Sequence, residues 1–372
     1  MTHRNIPFFE YPRLWIDERD ELMKIIDGIA STGGFIMQKA LADFEMELAH
    51  YAGVEYSVGV GNATDGMEIF LEAIGLNTND EVIISSHTML ATASAVKVAG
   101  GKPIPVDIGE DNLICPDAIE AAITAKTVGI MPTQLNGRTC DMDPITNIAQ
   151  KHGLFIVEDA AQALGSKYKG KHAGTFGLAS DISFFPAKVL GCLGDAGAVL
   201  VNDKRLYEAV YQIHDHGRDV HDGEVKRWGR NSRLDNIQAA ILSHKLKSYQ
   251  SVVDRRRVVA SIYEERLNTL EELKLPAPPG DVGSSHYDVF QNYELTAERR
   301  DELRAFLAHR GIGTLIQWGG MAIHHFTNLG FDQMCPKTDK FFESCLMLPM
   351  NIFISDDDVH YICDVVTEFY RS

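Results

Sequence analysis

The sequence predicts an α/β protein whose larger domain is organised around a doubly wound, largely parallel sheet. Short apolar runs of strand length alternate with amphipathic runs of helix length, and Gly, Pro and Asn mark the joins. A proline-rich break at 276–280, PAPPG, precedes a shorter mixed series of strands and helices. We therefore predict a large domain over residues 1–245, including an N-terminal arm, and a small α+β domain over residues 246–372.

The first elements are predicted from the spacing of apolar residues. Residues 1–16 contain two prolines and are predicted to form an extended arm. Residues 17–30 and 38–51 carry apolar side chains at helical spacing, which predicts two helices with core-facing stripes. A predicted strand at 56–60 then meets a glycine-rich turn that leads into a predicted helix at 65–74.

That turn, GNATDG at residues 61–66, is a candidate anion site, because a helix N-terminus presents unpaired N–H groups and the positive end of its dipole. A triphosphate loop is disfavoured, since Met67 stands where such a loop has lysine. Gly59 and Gly61 supply only half of a dinucleotide fingerprint. A single phosphate bound by Thr64 and backbone amides fits better, and a purely structural turn is an equal alternative on this motif alone.

The later elements continue the alternation. Further strands of the large domain are predicted at 80–85, 102–106, 127–131, 154–157, 180–185 and 198–202, the last two as a hairpin-like pair. Further helices are predicted over 116–125, 145–152, 206–214, 234–249 and 253–273, and around 95–98 with Ser86, Thr88 and Thr92 as candidate caps. In the small domain we predict strands at 287–295 and 314–318 and helices at 299–310 and 356–370.

Composition excludes several classes of function. The net charge of -17 disfavours nucleic acid as a partner. The six cysteines form no CxxC pair and no zinc spacing, which predicts free thiols in a reducing cytoplasm and no metal site. The N-terminus lacks the apolar core of a secretory signal, and no apolar run is long enough to cross a bilayer, so we predict a cytoplasmic protein without a membrane partner.

An acid and a lysine each stand just beyond an apolar strand: Asp159 after 155–157 and Lys188 after 182–185. Open α/β sheets bind ligands outside the carboxyl ends of their strands, so both side chains are expected to face one crevice. A carboxylate that keeps a ring nitrogen protonated and an amine in apolar surroundings are what pyridoxal phosphate (PLP) needs. Glu158 is a competitor for the acid's role, but strand alternation directs it to the other face.

Weaker signals surround this pair. The glycines at 191, 194 and 197 suggest that backbone passes close to a ligand. Ala161 is small enough to lie against a ring face, Gln162 can donate to a ring oxygen, and Ser183 can donate to a phosphate. Each of these residues by itself is more often a solvated loop residue.

Three segments carry a family resemblance: EDAAQALGSKYKGKHAGTFG at 158–177, SFFPAKVLGCLGDAGAVLVND at 183–203 and GRNSRLDNIQAAIL at 229–242. They resemble sugar aminotransferases of the DegT/StrS type, within fold type I of the PLP enzymes. The resemblance extends over nearly the whole chain. It implies a mostly parallel, seven-stranded sheet in the large domain and PLP as cofactor.

The resemblance also implies roles for individual residues. Lys188 would form the Schiff base and shuttle the proton, and Asp159 would pair with the pyridinium nitrogen. The other implied cofactor contacts are Gln162 at the ring oxygen and, at the phosphate, the amides of Ala63 and Asp65, the side chains of Thr64 and Ser183, and Asn231 from a second subunit. The ring face would meet Met89, where the family usually has an aromatic residue, or else His87. Candidate substrate contacts are His87, His324 and, for a diphosphate, Arg227 and Arg230.

The implied activity is transfer of an amino group from L-glutamate to a nucleotide-linked keto-sugar by a ping-pong route, in a homodimer with shared active sites. The product would serve a surface polysaccharide or a glycosylated metabolite. Lys188 favours transamination, since the dehydratases among the relatives carry histidine there. The alternatives are an aminocyclitol or free-sugar aminotransferase, and a non-catalytic PLP-binding regulatory protein.

Overall fold

The structure is a computed structural model and describes residues 4–280 and 284–371; the first residues of the predicted arm lie outside this range. The helices are α1 (Tyr11–Thr32), α2 (Lys39–Ala52), α3 (Ala63–Ile74), α4 (Leu90–Val98), α5 (Pro116–Ala122), α6 (Met142–His152), α7 (Lys204–His214), α8 (Asn236–Leu246), α9 (Tyr249–Leu267), α10 (Arg300–His309), α11 (Pro336–Ser344) and α12 (Asp356–Arg371). The strands are β1 (Tyr56–Val60), β2 (Glu81–Ser85), β3 (Lys102–Val106), β4 (Thr127–Met131), β5 (Phe155–Ile156), β6 (Glu158–Asp159), β7 (Lys167–Tyr168), β8 (Lys171–His172), β9 (Ala179–Ser183), β10 (Gly197–Val201), β11 (Leu273–Lys274), β12 (His286–Tyr287), β13 (Tyr293–Ala297) and β14 (Cys345–Leu348).

One sheet crosses the large domain in the order β3-β2-β4-β5/β6-β9-β10-β1. Strands β5 and β6 run as one, because the amides of Val157 and Asp159 donate to Ile130 of β4 and to Pro132 just beyond it, at 3.1 Å each. Within this sheet β10 runs antiparallel to both of its neighbours, and the other pairs are parallel. The predicted fold class, a mostly parallel seven-stranded sheet in an α/β protein, is therefore confirmed.

Both faces of this sheet are covered, as its continuous apolar strands require. Val82 and Ile84 of β2 pack into a core with residues of α3 and α4. Ile83, between them, packs into a separate core with residues of α5 and α6. Alternate side chains of a strand point to opposite faces, so the sheet separates two apolar layers. The carboxyl ends of the strands are left as the open edge where polar residues gather.

The small domain is an α+β unit, as predicted. Strands β11, β13 and β14 form an antiparallel sheet, and its apolar face shares one core with α9, α10 and α12. Tyr249 and Val253 at the start of α9 belong instead to the core of the large domain. The division between residues 245 and 246 stays a prediction. Among the helices of the described residues, none combines the length and apolar character needed to cross a membrane.

Several predicted boundaries are wrong. The arm is shorter than predicted, because α1 begins at Tyr11 with proline in its first turn, where a missing N–H costs nothing. The predicted helix at 234–249 ends at Leu246, and Tyr249 opens α9.

Two predicted strands of the small domain also fail. The run at 287–295 is divided: β12 pairs with β7 of the large domain, and β13 enters the small-domain sheet. The run at 314–318 makes one isolated bridge from Leu315 to Met347 and then a 3-10 turn at Gln317–Gly320. The partner of β13 is β14, a strand that the sequence did not predict.

Candidate active site

Asp159 ends β6 at the open edge of the sheet and is almost fully buried. Its Oδ2 accepts hydrogen bonds from Thr92 Oγ1 at 2.5 Å and Thr133 Oγ1 at 3.5 Å, and its Oδ1 accepts from the Ala161 amide at 3.2 Å. Burial raises the pKa of Asp159, and these donors and the charge of Lys188 oppose that rise. Thr92 was predicted as a helix cap, and this is wrong: α4 has Met89 at its N-cap, without a side-chain bond.

Lys188 lies in the loop that follows β9, and its amide donates to the Phe185 carbonyl at 2.8 Å. The side chain is half-buried among apolar neighbours. Burial lowers the pKa of Lys188, and the carboxylates of Asp159 and Asp181 oppose that change. The lysine and the acid predicted from separate strand ends are thus close enough to influence each other's charge, at the edge where the sheet opens.

A residue that the sequence did not reveal holds the lysine loop in place. Gln291, buried in the segment between β12 and β13, accepts a hydrogen bond from the Val189 amide at 2.9 Å and donates to the Ala187 carbonyl at 2.8 Å. The two bonds bracket Lys188. Buried Arg256 of α9 in turn donates to the carbonyls of Phe290 and Gln291, at 3.0 and 3.2 Å. A lone glutamine far along the chain carries no sequence signal for this task.

The residues predicted to cradle an anion lie in the first turn of α3. The Asn62 side chain caps the helix by accepting from the Asp65 amide at 2.8 Å. The amide of Asp65 is therefore already used, which corrects its prediction as a phosphate donor and leaves the first-turn amides of Ala63 and Thr64. A Cβ added to Gly197 would lie 2.6 Å from the Ala63 nitrogen, so only glycine lets β10 pass this close.

Gln162 is oriented by its neighbours. Its Oε1 accepts from the Asn136 amide at 3.0 Å and from Asn292 Nδ2 at 3.4 Å. Asn136 itself adopts a left-handed backbone, with φ of 56°. Because the carbonyl end of the Gln162 side chain is held in this way, its NH2 group is the end available to donate to a ligand.

Glu158 faces away from Asp159, as strand alternation predicted. Its Oε2 accepts from Gln134 Nε2 and the Gly174 amide, both at 2.7 Å. Its Oε1 accepts from the amides of Phe176 and Gly177 at 2.6 and 3.0 Å. Glu158 is therefore a satisfied structural carboxylate that ties the loop at 174–177 to the sheet.

The two candidates for the ring face lie apart. His87 is buried: its Nδ1 lies 2.9 Å from the Asn112 carbonyl, and its ring packs on Phe341 with centroids 4.5 Å apart. That environment corrects the prediction that His87 contacts the ring or the substrate. Met89 is 54% exposed at the start of α4 and remains the candidate for this contact.

Two predicted substrate residues are occupied within the chain. Arg230 pairs with Glu68 and Glu72 of α3 at 2.5 Å each, so its guanidinium does not project toward a diphosphate. His324 lies between Ser86 Oγ, 2.6 Å from its Nδ1, and Asp339 Oδ1, 2.9 Å from its Nε2, and is almost fully buried. Neither ring nitrogen is left for a sugar.

His324, His325 and Asp339 also form a cluster whose potential ligand atoms lie within 4.8 Å of one another. His325 Nδ1 accepts from the Ala322 amide at 3.1 Å, which places the ring proton on Nε2, facing Asp339. A neutral His325 therefore donates to the carboxylate and does not present a lone pair to a cation.

Arg227 and Asn231 belong to a loop that projects from the body. The loop is closed by backbone bridges from Asp215 to Asn231 and from Arg218 to Val225. Arg227 and Asn231 are exposed, and Trp228 between them is 93% exposed. The base of this loop lies at the cradle of its own subunit, because Ser232 Oγ accepts from the Gly61 amide at 3.0 Å and donates to Asp65 Oδ2 at 2.6 Å.

The described residues fit PLP. The cofactor has a phosphate, a ring nitrogen that must stay protonated, and an aldehyde that combines with an amine. The chain offers a helix N-terminus with Ser183 on the neighbouring strand, a buried acid at Asp159 and an amine of lowered pKa at Lys188. The fold and site together define a PLP-dependent transferase.

Comparison with known proteins identifies the family. A model of the DegT/DnrJ/EryC1/StrS aminotransferase family matches residues 16–367. The chain is 37% identical over 378 residues to the pleiotropic regulatory protein of Geobacillus stearothermophilus, with 99% of each chain covered. It is 34% identical over 370 residues to the dTDP-3-amino-3,4,6-trideoxy-alpha-D-glucose transaminase of Streptomyces venezuelae, covering 98% of this chain and 96% of that one.

The crystal structure of the S. venezuelae protein DesV matches with a TM-score of 0.93 at 33% identity and covers 99% of both chains. The chain belongs to the DegT/DnrJ/EryC1/StrS aminotransferase family. It is a PLP-dependent aminotransferase.

Proposed function

We propose that the protein transfers an amino group from L-glutamate to a nucleotide-linked keto-sugar, in the cytoplasm, during amino-sugar biosynthesis. The observation that carries the proposal is the placement of Asp159, at the end of β6, and Lys188, in the loop after β9, at the open edge of the sheet beside the α3 cradle. Transaminases of dTDP- and UDP-linked sugars among the relatives support the acceptor class. The free state of all six cysteines supports a reducing compartment.

In this proposal each residue has a defined task. Bound PLP supplies an electron sink for the charge left on a carbon that loses its proton. Asp159 keeps the ring nitrogen protonated, and Gln162 donates to the ring oxygen through its free NH2 group. Lys188 Nζ would take the proton from the donor carbon and pass it to the cofactor, and in the second half of the reaction it would move a proton from the cofactor to the sugar carbon that receives the amine. Its lowered pKa suits it to accept a proton near neutral pH.

The amides of Ala63 and Thr64 and the Ser183 hydroxyl would bind the phosphate from this subunit. The donor and acceptor would use the same site in turn, with 2-oxoglutarate leaving before the keto-sugar enters.

We propose a homodimer in which the projecting loop completes the partner's site. Asn231 is exposed at the base of this loop, as expected for a residue that reaches another subunit. Trp228 at 93% exposure is unusual for so large an apolar side chain in a free surface loop, which supports a partner there. Arg227 would approach the nucleotide diphosphate from the same loop.

A second candidate is a PLP-binding regulatory protein. The match to a pleiotropic regulatory protein over 99% of each chain favours it. The two candidates differ in one respect: a regulator needs bound cofactor but no turnover.

An absorbance assay separates these readings. The PLP-loaded protein should absorb in the visible, bleach as added L-glutamate is converted to 2-oxoglutarate, and recover with UDP-, dTDP- or GDP-linked keto-sugars as the amino-sugar is released. Lys188→Ala should abolish both changes, while Lys204→Ala, an exposed lysine on α7, should leave them intact. If the absorbance bleaches and then recovers with an unlinked ketone but with no nucleotide-linked one, the acceptor is an unlinked ketone and the proposed acceptor class is wrong. A loaded protein that never bleaches with amino donors would be the regulator.

A further inference from the structure

Asp181 is a buried acid in the cofactor site for which the reaction described above has no use. It lies on β9, two residues before Ser183, and is fully buried. Both of its carboxylate oxygens are buried without a hydrogen-bond partner in the described part of the chain. Its Cβ lies 3.5 Å from the position of a Cβ built on Gly66, in the first turn of α3. Asp181 thus sits between the sheet and the anion cradle.

Asp181 is directly beside Asp159. Strands β6 and β9 are parallel neighbours, and the two residues are register partners. Adjacent strands are about 4.8 Å apart, and register partners project from the same face of a sheet. Two carboxyl groups placed in this way cannot both ionise at ordinary pH unless cations surround them.

The charged groups around Asp181 do not supply the positive charge that would let both carboxyl groups ionise. Helix α3 packs on β9, and its acids are engaged: Asp65 accepts from Ser232 Oγ at 2.6 Å, and Glu68 pairs with Arg230. On the other side, β10 places Val199 opposite Asp181. Lys188 is the remaining cation near it, and its charge, together with the nearby amides of Asp181 and Ala160, only partly offsets burial. Burial and the charge of Asp159 together raise the pKa of Asp181 well above its usual range.

We propose that Asp181 is a positioning residue that stays a neutral carboxylic acid and donates its O–H to Asp159, so that the pair carries one negative charge. This inference rests on the proposed role of Asp159 opposite the ring nitrogen. Asp159 already accepts hydrogen bonds from Thr92, Thr133 and the Ala161 amide. The Asp181 O–H would be a fourth donor, and it would keep Asp159 ionised at a lower pH than these three donors do alone. The site would then keep its cofactor further into the acid range.

The first test follows cofactor retention against pH in three dialysed holoenzymes: wild type, Asp181→Ala and Asp181→Asn. Loss of the donor in Asp181→Ala should raise the midpoint of the acid limb by about one pH unit, which is tenfold in the protonation equilibrium. The amide of Asp181→Asn also donates an N–H, so its midpoint should return toward that of wild type. A lower midpoint of the acid limb in both variants would mean that Asp181 is ionised. An unchanged midpoint in Asp181→Ala would mean that Asp181 does not act through Asp159. Either result overturns the proposal.

The second test does not need the cofactor or Asp181→Ala. Infrared difference spectra of cofactor-free wild type against Asp181→Asn at neutral pH should show a neutral carboxylic acid band that belongs to Asp181. Asp143→Asn, at an exposed acid that pairs with Lys169, is the matched control and should give no such band. Absence of the band in the Asp181 difference overturns the proposal. If the band is present but Asp159→Asn retains cofactor with unchanged pH dependence, then the role proposed for Asp159 fails and the proton on Asp181 stands.

Discussion

Replacing Gln291 by alanine should loosen the loop that carries Lys188, the proposed Schiff-base lysine, while leaving the lysine itself intact. The Gln291 side chain makes one bond on each side of Lys188, to the Val189 amide and the Ala187 carbonyl, at 2.9 and 2.8 Å. Alanine removes both hydrogen bonds, so the Val189 amide and the Ala187 carbonyl can bond only to water.

The size of the effect follows from those two groups. A buried backbone group that loses its partner costs about 1–3 kcal/mol. Ala187 and Val189 are half-buried, so water replaces part of each lost hydrogen bond. The low end of this range of free energies therefore applies to each backbone group. The expected total is about 2 kcal/mol, which corresponds to about 30-fold in an equilibrium constant. Because the proposed attachment point of PLP, Lys188, lies in this loop, the affinity for PLP should fall by that factor.

The assay is titration of cofactor-free protein with PLP, followed by visible absorbance. Gln250→Ala is the matched control, since Gln250 also makes two side-chain bonds, to Asp254 at 2.8 Å and Tyr287 at 2.9 Å, but is exposed. Gln291→Glu keeps the acceptor for Val189 and loses the donor to Ala187, and it should fall between wild type and alanine. The reasoning is refuted if Gln291→Ala binds PLP within twofold of wild type, or if Gln250→Ala loses as much affinity.

Three further predictions concern charge. Thr92→Val removes the hydroxyl that donates to Asp159 at 2.5 Å, so the pKa of Asp159 should rise. The acid limb of cofactor retention should then move up by about one pH unit in a spectral titration. An unmoved acid limb would show that this hydrogen bond is unimportant. Burial raises the pKa of Glu45 to about 7 from an ordinary value near 4.5. A carboxyl group whose pKa is higher in the folded state than in the unfolded state favours folding at low pH, and this contribution to stability is lost as the pH rises. We therefore expect the free energy of unfolding to decline by about 3 kcal/mol between pH 4.5 and 7.5 through this group, and Glu45→Gln to remove that decline in urea titrations at the two pH values. Arg230→Ala breaks the pairs with two glutamates of α3 and should destabilise the protein by about 1 kcal/mol at low salt and less at high salt, which denaturation at two ionic strengths measures.

The main elements of the site could be predicted because each is a local pattern. An apolar run followed by an acid or a lysine marks the end of a buried strand, and strand ends share one edge of a parallel sheet. Asp159 and Lys188 needed no further information, and the glycine-rich turn before α3 was equally local. Glu158 was also assigned to the opposite face by alternation alone, and its bonds to Gln134 and Gly174 agree.

The failures share a different cause. Arg230 was predicted to bind a diphosphate, yet it pairs with acids more than 150 positions earlier in the chain. His87 follows a strand as Asp159 does, but its ring turns into an aromatic cluster built from α11. The run at 287–295 has strand character throughout, and its division between two sheets depends on which strands are already there.

The sequence by itself determined the fold class, the order of the main strands and helices of the large domain, and the two residues proposed to carry the chemistry. These properties follow from apolar spacing and strand ends, which depend on neighbours a few residues apart. Only the tertiary structure decided which side chains support those two residues and which are occupied elsewhere. Gln291 at the lysine loop and Asp181 beside Asp159 acquire their roles from packing between distant segments, and the energies of burial and charge that define them exist only once those segments meet.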